Sequence, residues 1–276
     1  MAIFHLHTIN QRWVAGIWLV LLAGTAMTYA ESENVHLQSE SDKDATEATI
    51  VLLSGIGRGR ASLWVLDTRL QQAGYTTLNF PYAAQGYTLK EITQQFSRFI
   101  RENVKTDSYH LIAHSLGNLI VRMGFRDGYP EGLGRIVMLA PPNRPTELAR
   151  ALRDNPIYKW FTSKDGWQFA SDEFYEKLPI PNVPFGIIAG ERGQSVMLDE
   201  PNDGVITVES TKLEGMADWT VVPHAHTFIM NSRSVAALCV SFIKTGSFDQ
   251  TATSKNDENS GSKEEVQVDT KAISGE

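Results

Sequence analysis

Leu111-Ile112-Ala113-His114-Ser115-Leu116-Gly117 is the stretch whose reading decides the fold. Residues 109–113 form a short apolar run, and the segment 116–126 behind it has a helical pattern. A serine therefore stands where a strand turns at once into a helix, with the small residues Ala113 two places before it and Gly117 two places after. Such a turn is tight enough to push a hydroxyl into a cleft. It needs small residues at those two places because neighbouring backbone passes close by. The residue after the serine opens the helix, so its N–H lacks an intrahelical acceptor and can face an anion. The plainer alternative is a serine capping an ordinary helix after an ordinary strand.

Outward from this run, apolar stretches alternate with helical patterns, the signature of a parallel sheet with crossover helices. Residues 49–53 are continuously apolar, as a strand covered on both faces requires. The segment 62–73 follows as a helix, with Leu63, Leu66 and Leu70 on one face and Gly74 as its stop. A strand is predicted over 76–80, ended by Pro81. A helix over 89–104 carries the stripe Ile92, Phe96, Phe99 and Ile100. After the central strand and helix, residues 135–140 read as a strand closed by Pro141-Pro142, and 185–189 as another ended by Gly190. Short β segments are predicted at 205–208 and 219–222, and a closing helix at 234–243.

The strand–serine–helix run resembles the nucleophile elbow of the α/β-hydrolase family, in its lipase and esterase branch. The usual pattern there is G-x-S-x-G. Ala113 stands in the first position here, an A-H-S-x-G form similar to that of some small bacterial lipases. The resemblance spans about residues 49–243. It implies an α/β-hydrolase fold: a mostly parallel central sheet flanked by helices, with a short cap insertion. It also implies Ser115 as nucleophile, with an acid and then a histidine later in the chain.

The first strand runs into Ser54-Gly55-Ile56-Gly57-Arg58-Gly59. A glycine-rich loop there could cradle phosphate, but no Gly-Lys-Ser/Thr is present and no GxGxxG continues from this strand. The resemblance instead makes it the oxyanion loop. Ser54 replaces the more usual histidine, Gly55 is retained, and the amides of Ile56 and Leu116 are the expected oxyanion donors. Turn geometry alone is the competing account of these glycines.

For the acid, Asn202-Asp203-Gly204-Val205-Ile206 resembles the segment that carries it in related lipases and esterases. Asp203 is the choice on that resemblance, with Asp199, Glu200 and Asp218 as nearby alternatives, since Asp-Gly is a common turn anywhere. Of the seven histidines, only His224 and His226 lie late enough to serve as the base. His226, followed by Thr-Phe, matches the bacterial branch, and His224 is the alternative. His114 is expected to point away from Ser115 and pack against the sheet, and His110 to be structural. His36 falls in the linker, and His5 and His7 in the N-terminal segment.

Domain organisation follows from composition. Arg12 precedes an apolar stretch over 13–26, and Thr28-Tyr29-Ala30 offers small residues for cleavage, so 1–30 reads as an export signal. The stretch is short of the roughly 20 apolar residues of a membrane span, and an uncleaved anchor is the alternative. Residues 31–48 are a polar linker and 247–276 an acidic tail, both expected to be disordered. The hydrolase domain is then 49–246, with 144–181 as the cap. The aromatics of that cap, among them Trp160, Phe161, Trp167, Phe174 and Tyr175, either line an acyl cleft or pack onto the sheet. The lone Cys239 lies in an apolar helical pattern and reads as a core thiol. Export without disulfides suits a periplasmic or secreted bacterial protein.

A net charge of −7 removes nucleic acid as a partner, because no basic surplus exists to neutralise phosphates. No metal or organic cofactor is expected. The substrate implied by the resemblance is a small-molecule or lipid ester, which allows transient lipid or membrane contact. The implied activity is carboxylic ester hydrolysis through Ser115, His226 and Asp203. Acyl transfer by the same residues, or a non-catalytic binding role for the fold, are the alternatives.

Overall fold

A computed structural model of the protein describes residues 48–55, 60–83, 86–145, 171–193 and 200–248. The chain divides into two units, Met1–Asp44 and Ala45–Glu276, and every described residue belongs to the second. Residues 1–30, read as an export signal, nearly all of the expected linker 31–48 and most of the expected tail 247–276 lie outside the described residues. Among those described, no helix is long and apolar enough to cross a membrane.

Six strands carry the fold: β1 (Thr49–Leu53), β2 (Thr76–Asn79), β3 (Tyr109–His114), β4 (Leu133–Leu139), β5 (Phe185–Gly190) and β6 (Asp218–Val222). They form one sheet in the order β2-β1-β3-β4-β5-β6, with every neighbouring pair parallel. The helices are α1 (Trp64–Gln72), α2 (Leu89–Asn103), α3 (Leu116–Gly124), the single turn and a half of α4 (Asp172–Glu176), and α5 (Arg233–Thr245). α2 and α3 cover one face of the sheet, packing Ile92, Phe96 and Ile120 against Val51, Leu53 and Leu111. α1 and α5 cover the other, packing Leu66, Leu70, Val235 and Phe242 against Ile50, Leu52 and Ile112. Because both faces are covered, alternate residues of a strand are equally apolar, which explains the hydrophobic runs 50–53 in β1 and 111–113 in β3.

α2 begins at a capping box that the apolar pattern did not announce. The Thr88 hydroxyl accepts from the Glu91 amide at 3.2 Å, and the Thr88 amide donates to the Glu91 carboxylate at 2.7 Å. α5 stops at Gly246, whose φ of 81° supplies the left-handed terminus. The chain stays packed beyond that point. Phe248 packs against Phe242 with ring centroids 5.0 Å apart, and its amide donates to the Asp218 carboxylate at 2.6 Å. The tail expected from residue 247 therefore contributes Phe248 to the body. At the other end Ala48, placed in the linker by composition, is fully buried.

One further expectation needs correction. Residues 205–208 are not a strand but a turn with an isolated bridge between Asn202 and Thr207. The Asp203 carboxylate takes the amides of Val205 and Ile206, which a ladder would have used. In the cap insertion, residues 146–170 lie outside the described residues, but the following stretch packs down onto the body. Tyr175 and Leu178 join the core, and the buried Arg122 of α3 donates to the carbonyls of Tyr175, Leu178 and Pro179. It also donates to the Asn143 side chain at 3.1 Å. Burial lowers the pKa of this guanidinium to about 10. Cys239 is a buried thiol in α5, as its pattern indicated, and burial pushes its pKa up to about 12.

His110 is structural. Its Nδ1 accepts the Arg135 amide at 2.9 Å, stitching β3 to β4 where their register shifts. Burial first, and the Arg135 charge second, lower its pKa from 6.5 to about 4. The unfolded chain takes up this proton near 6.5, so between those values the unfolded state holds more protons and stability rises with pH. The contribution is complete above 6.5 and lost as pH falls towards 4, about 3 kcal/mol in total. Urea unfolding from pH 7 to pH 4.5 is expected to show this loss. His110→Asn, which keeps an acceptor for Arg135, is expected to flatten it; an unchanged slope would contradict the assignment.

Candidate active site

The C-terminal ends of β1, β3 and β6 converge at one edge of the sheet, joined there by the loop that follows β5. Ser115 sits between β3 and α3 with φ 53° and ψ −123°. A non-glycine residue in this region carries strain of about 1–3 kcal/mol. Its hydroxyl makes no capping bond to α3, which sets aside the helix-cap alternative. Instead Ser115 Oγ lies 3.0 Å from His226 Nε2, and His226 Nδ1 lies 2.7 Å from Asp203 Oδ2. Because a carboxylate only accepts, the Nδ1 proton points at Asp203 and Nε2 is left to accept from the serine.

Each member of this chain is held by its own backbone surroundings. The Ser115 amide donates to the Leu139 carbonyl at 3.1 Å. Asp203 turns its second oxygen to the amides of Ile206 at 2.7 Å and Val205 at 3.0 Å. The His226 amide donates to the Asp203 carbonyl at 2.9 Å, so these two residues are tied through main chain as well as side chain. Asp203 and His226 are buried, which strengthens these bonds and makes any unpaired group costly.

The small residue two places after the serine has a visible cause. A Cβ on Gly117 would stand 2.9 Å from the Leu53 carbonyl oxygen and 3.0 Å from that of Ser54. α3 thus starts directly against the end of β1. Ala113, two places before the serine, fits fully buried.

Among solved structures, an esterase from Exiguobacterium antarcticum superposes with a TM-score of 0.55 at 16% identity, covering 72% of this chain and 92% of its own. A bromoperoxidase from Bacillus anthracis gives 0.51 at 12% identity, covering 71% and 91%. This chain has the α/β-hydrolase fold. No family model matches the sequence, and no curated protein matches it either.

Within the α/β-hydrolase frame, Ser115, His226 and Asp203 are brought together, and the competitors among the described residues are not. His224 lies half-buried, and its carbonyl accepts from the Arg192 amide. Asp218 accepts from the Trp219 and Phe248 amides at the start of β6. Glu200 is exposed, and Asp199 lies outside the described residues. Leu116 opens α3 directly after the serine, so its amide is the first of the helix and has no intrahelical acceptor. Ile56 lies outside the described residues, but the start of its loop is described. Gly55 is so close to the elbow that a Cβ there would stand 3.0 Å from that of Ser115. The Tyr82 hydroxyl donates to the Ser54 carbonyl at 2.7 Å, and burial raises its pKa.

Three residues at this edge carried no signal as part of the site in the sequence reading. Tyr82 is one. Asn118 is another: fully buried, it donates to the Ser115 and Leu139 carbonyls, both at 3.1 Å. The third is His114, expected to turn away, which instead stands against His226 with ring centroids 4.7 Å apart. Asparagine three places after an elbow serine, on the inner side of the helix, is the one of these that a sequence could flag. Asn118→Leu is expected to lower the unfolding free energy by about 1–2 kcal/mol, because two carbonyls at the strained turn each lose one of their two donors and keep only a backbone amide. Urea denaturation of the variant checks this.

Proposed function

We propose that the protein is a serine hydrolase of carboxylic esters. The observation that carries the reading is the continuous chain Asp203–His226–Ser115, with both links within 3.0 Å and the serine on a strained turn. Ser115 Oγ attacks the acyl carbon while its proton passes to His226 Nε2. Asp203 keeps the imidazole oriented and stabilises the imidazolium. The developing oxyanion is met by the Leu116 amide and, on the family pattern, by that of Ile56; losing one such donor typically costs about 3 kcal/mol. His226 then protonates the departing alcohol, which leaves an acyl-Ser115 ester. Water attacks that ester with His226 as base, releasing the acid and restoring the serine.

The similarity to an esterase of the same fold supports ester chemistry, although a fold hosts many activities and the site has to carry the argument. The reading of residues 1–30 as an export signal supports an activity beyond the cytoplasm, with an uncleaved anchor as the alternative. N-terminal sequencing of the mature protein checks that part.

Purified protein is expected to react with a fluorophosphonate probe and to hydrolyse p-nitrophenyl esters. Ser115→Ala is expected to fold normally, lose labelling and lower kcat by roughly 10⁶-fold. A folded Ser115→Ala variant with near wild-type turnover would end the proposal. An ester of an added alcohol among the products would make the acceptor an alcohol rather than water. His226→Ala is expected to match Ser115→Ala closely, and His224→Ala to stay near wild type; the reverse order would reassign the base.

A further inference from the structure

His114 is the last residue of β3, one place before Ser115, and its side chain is buried. Its Nε2 lies 3.0 Å from the backbone carbonyl oxygen of His226. A carbonyl oxygen only accepts, so the hydrogen in this bond sits on His114 Nε2. The two rings lie against one another with their planes 45° apart. On the other side of the ring, a Cβ on Gly55 would stand 3.3 Å from His114 Nδ1. The imidazole thus fills the space between the loop after β1 and the loop that carries His226.

The backbone of His226 is therefore gripped twice. Its amide donates to the Asp203 carbonyl at 2.9 Å, and its carbonyl accepts from His114 at 3.0 Å. The first grip ties the residue to the acid loop. The second ties it to the strand that ends in the nucleophile. Without the second, nothing in this pair of bonds sets the His226 ring against Ser115.

We infer that His114 is a positioning residue for His226: through its Nε2–H it fixes the base's peptide to β3 and so brings His226 Nε2 to Ser115 Oγ. This rests on the reading of Ser115, His226 and Asp203 as the reacting groups. A displacement of about 1 Å between reacting groups costs on the order of 10²-fold in rate. The effect belongs in kcat, because His114 holds the base and not the substrate.

The test uses the full chain with p-nitrophenyl acetate and compares His114→Leu, which has no donor, with His114→Gln. The glutamine amide nitrogen is reached through the same number of bonds as His Nε2. His114→Leu is expected to fold, to keep KM and to lower kcat by roughly 10- to 100-fold, and His114→Gln to recover most of that loss. Wild-type kcat in folded His114→Leu, or equal impairment of both variants, would overturn the inference. If His114→Leu does not fold, ¹⁵N NMR of the wild-type imidazoles decides. An Nε2–H tautomer at His114 supports the bond, and an Nδ1–H tautomer removes it. Wild type that labels at Ser115 beside an unimpaired His114→Leu overturns only the role of His114. Wild type that neither labels nor hydrolyses overturns the hydrolase reading and this inference with it.

Discussion

The backbone of Ser115, at φ 53°, is the constraint on which the rest of this edge depends. A strand that ended in relaxed geometry would run its serine along the sheet or into the helix cap. The turn aims the hydroxyl outward, at a cost of about 1–3 kcal/mol. Holding it there are the bond from the Ser115 amide to Leu139 and the two bonds from Asn118. Net contributions of about 1 kcal/mol each are of the same order as the strain. Ala140, at the end of the neighbouring strand β4, is the other described non-glycine residue with positive φ. Its amide bonds to Ile188 at 2.8 Å, so both unusual turns are anchored to adjacent strands of the same sheet.

Parallel strand order turns this local device into a site. All six strands point the same way, so their C-terminal ends lie along one edge and loops distant in sequence meet there. That edge is where open α/β sheets bind ligands. The meeting is not left to side chains alone. Asp203 holds His226 by main chain, and His226 in turn accepts from His114, the residue beside the serine. Arg122 extends the same logic behind the site. With carbonyls and Asn143 as its only hydrogen-bond acceptors among the described residues, it fastens α3 to the segment after α4. Asn143 continues the tie to the Thr211 carbonyl at 2.7 Å.

The strands were legible because each carries its own evidence. β1, β3 and β5 each hold a run of adjacent apolar residues that a doubly covered sheet explains, and α2 has a stripe at helical spacing. Residues 205–208 misled because Val205 and Ile206 have strand composition, while the competing bonds come from the carboxylate of Asp203. His114 misled for a related reason. What covers the last residue of a strand is a loop from elsewhere, so alternation along β3 could not say whether sheet or His226 would meet that ring.

The sequence by itself determined the order of elements, the parallel sheet and the tight serine turn between β3 and α3. These follow from periodicity and residue size within a few neighbouring positions. It also supplied a short roster of acids and bases. Tertiary structure alone chose among them, seating His226 and not His224 on Ser115 and engaging Asp218 at the foot of β6 instead of at the site. It alone recruited Asn118, Tyr82 and His114. Those choices depend on hydrogen bonds between groups far apart in the chain. The crossings of the parallel sheet bring such groups together, and no local pattern encodes where they land.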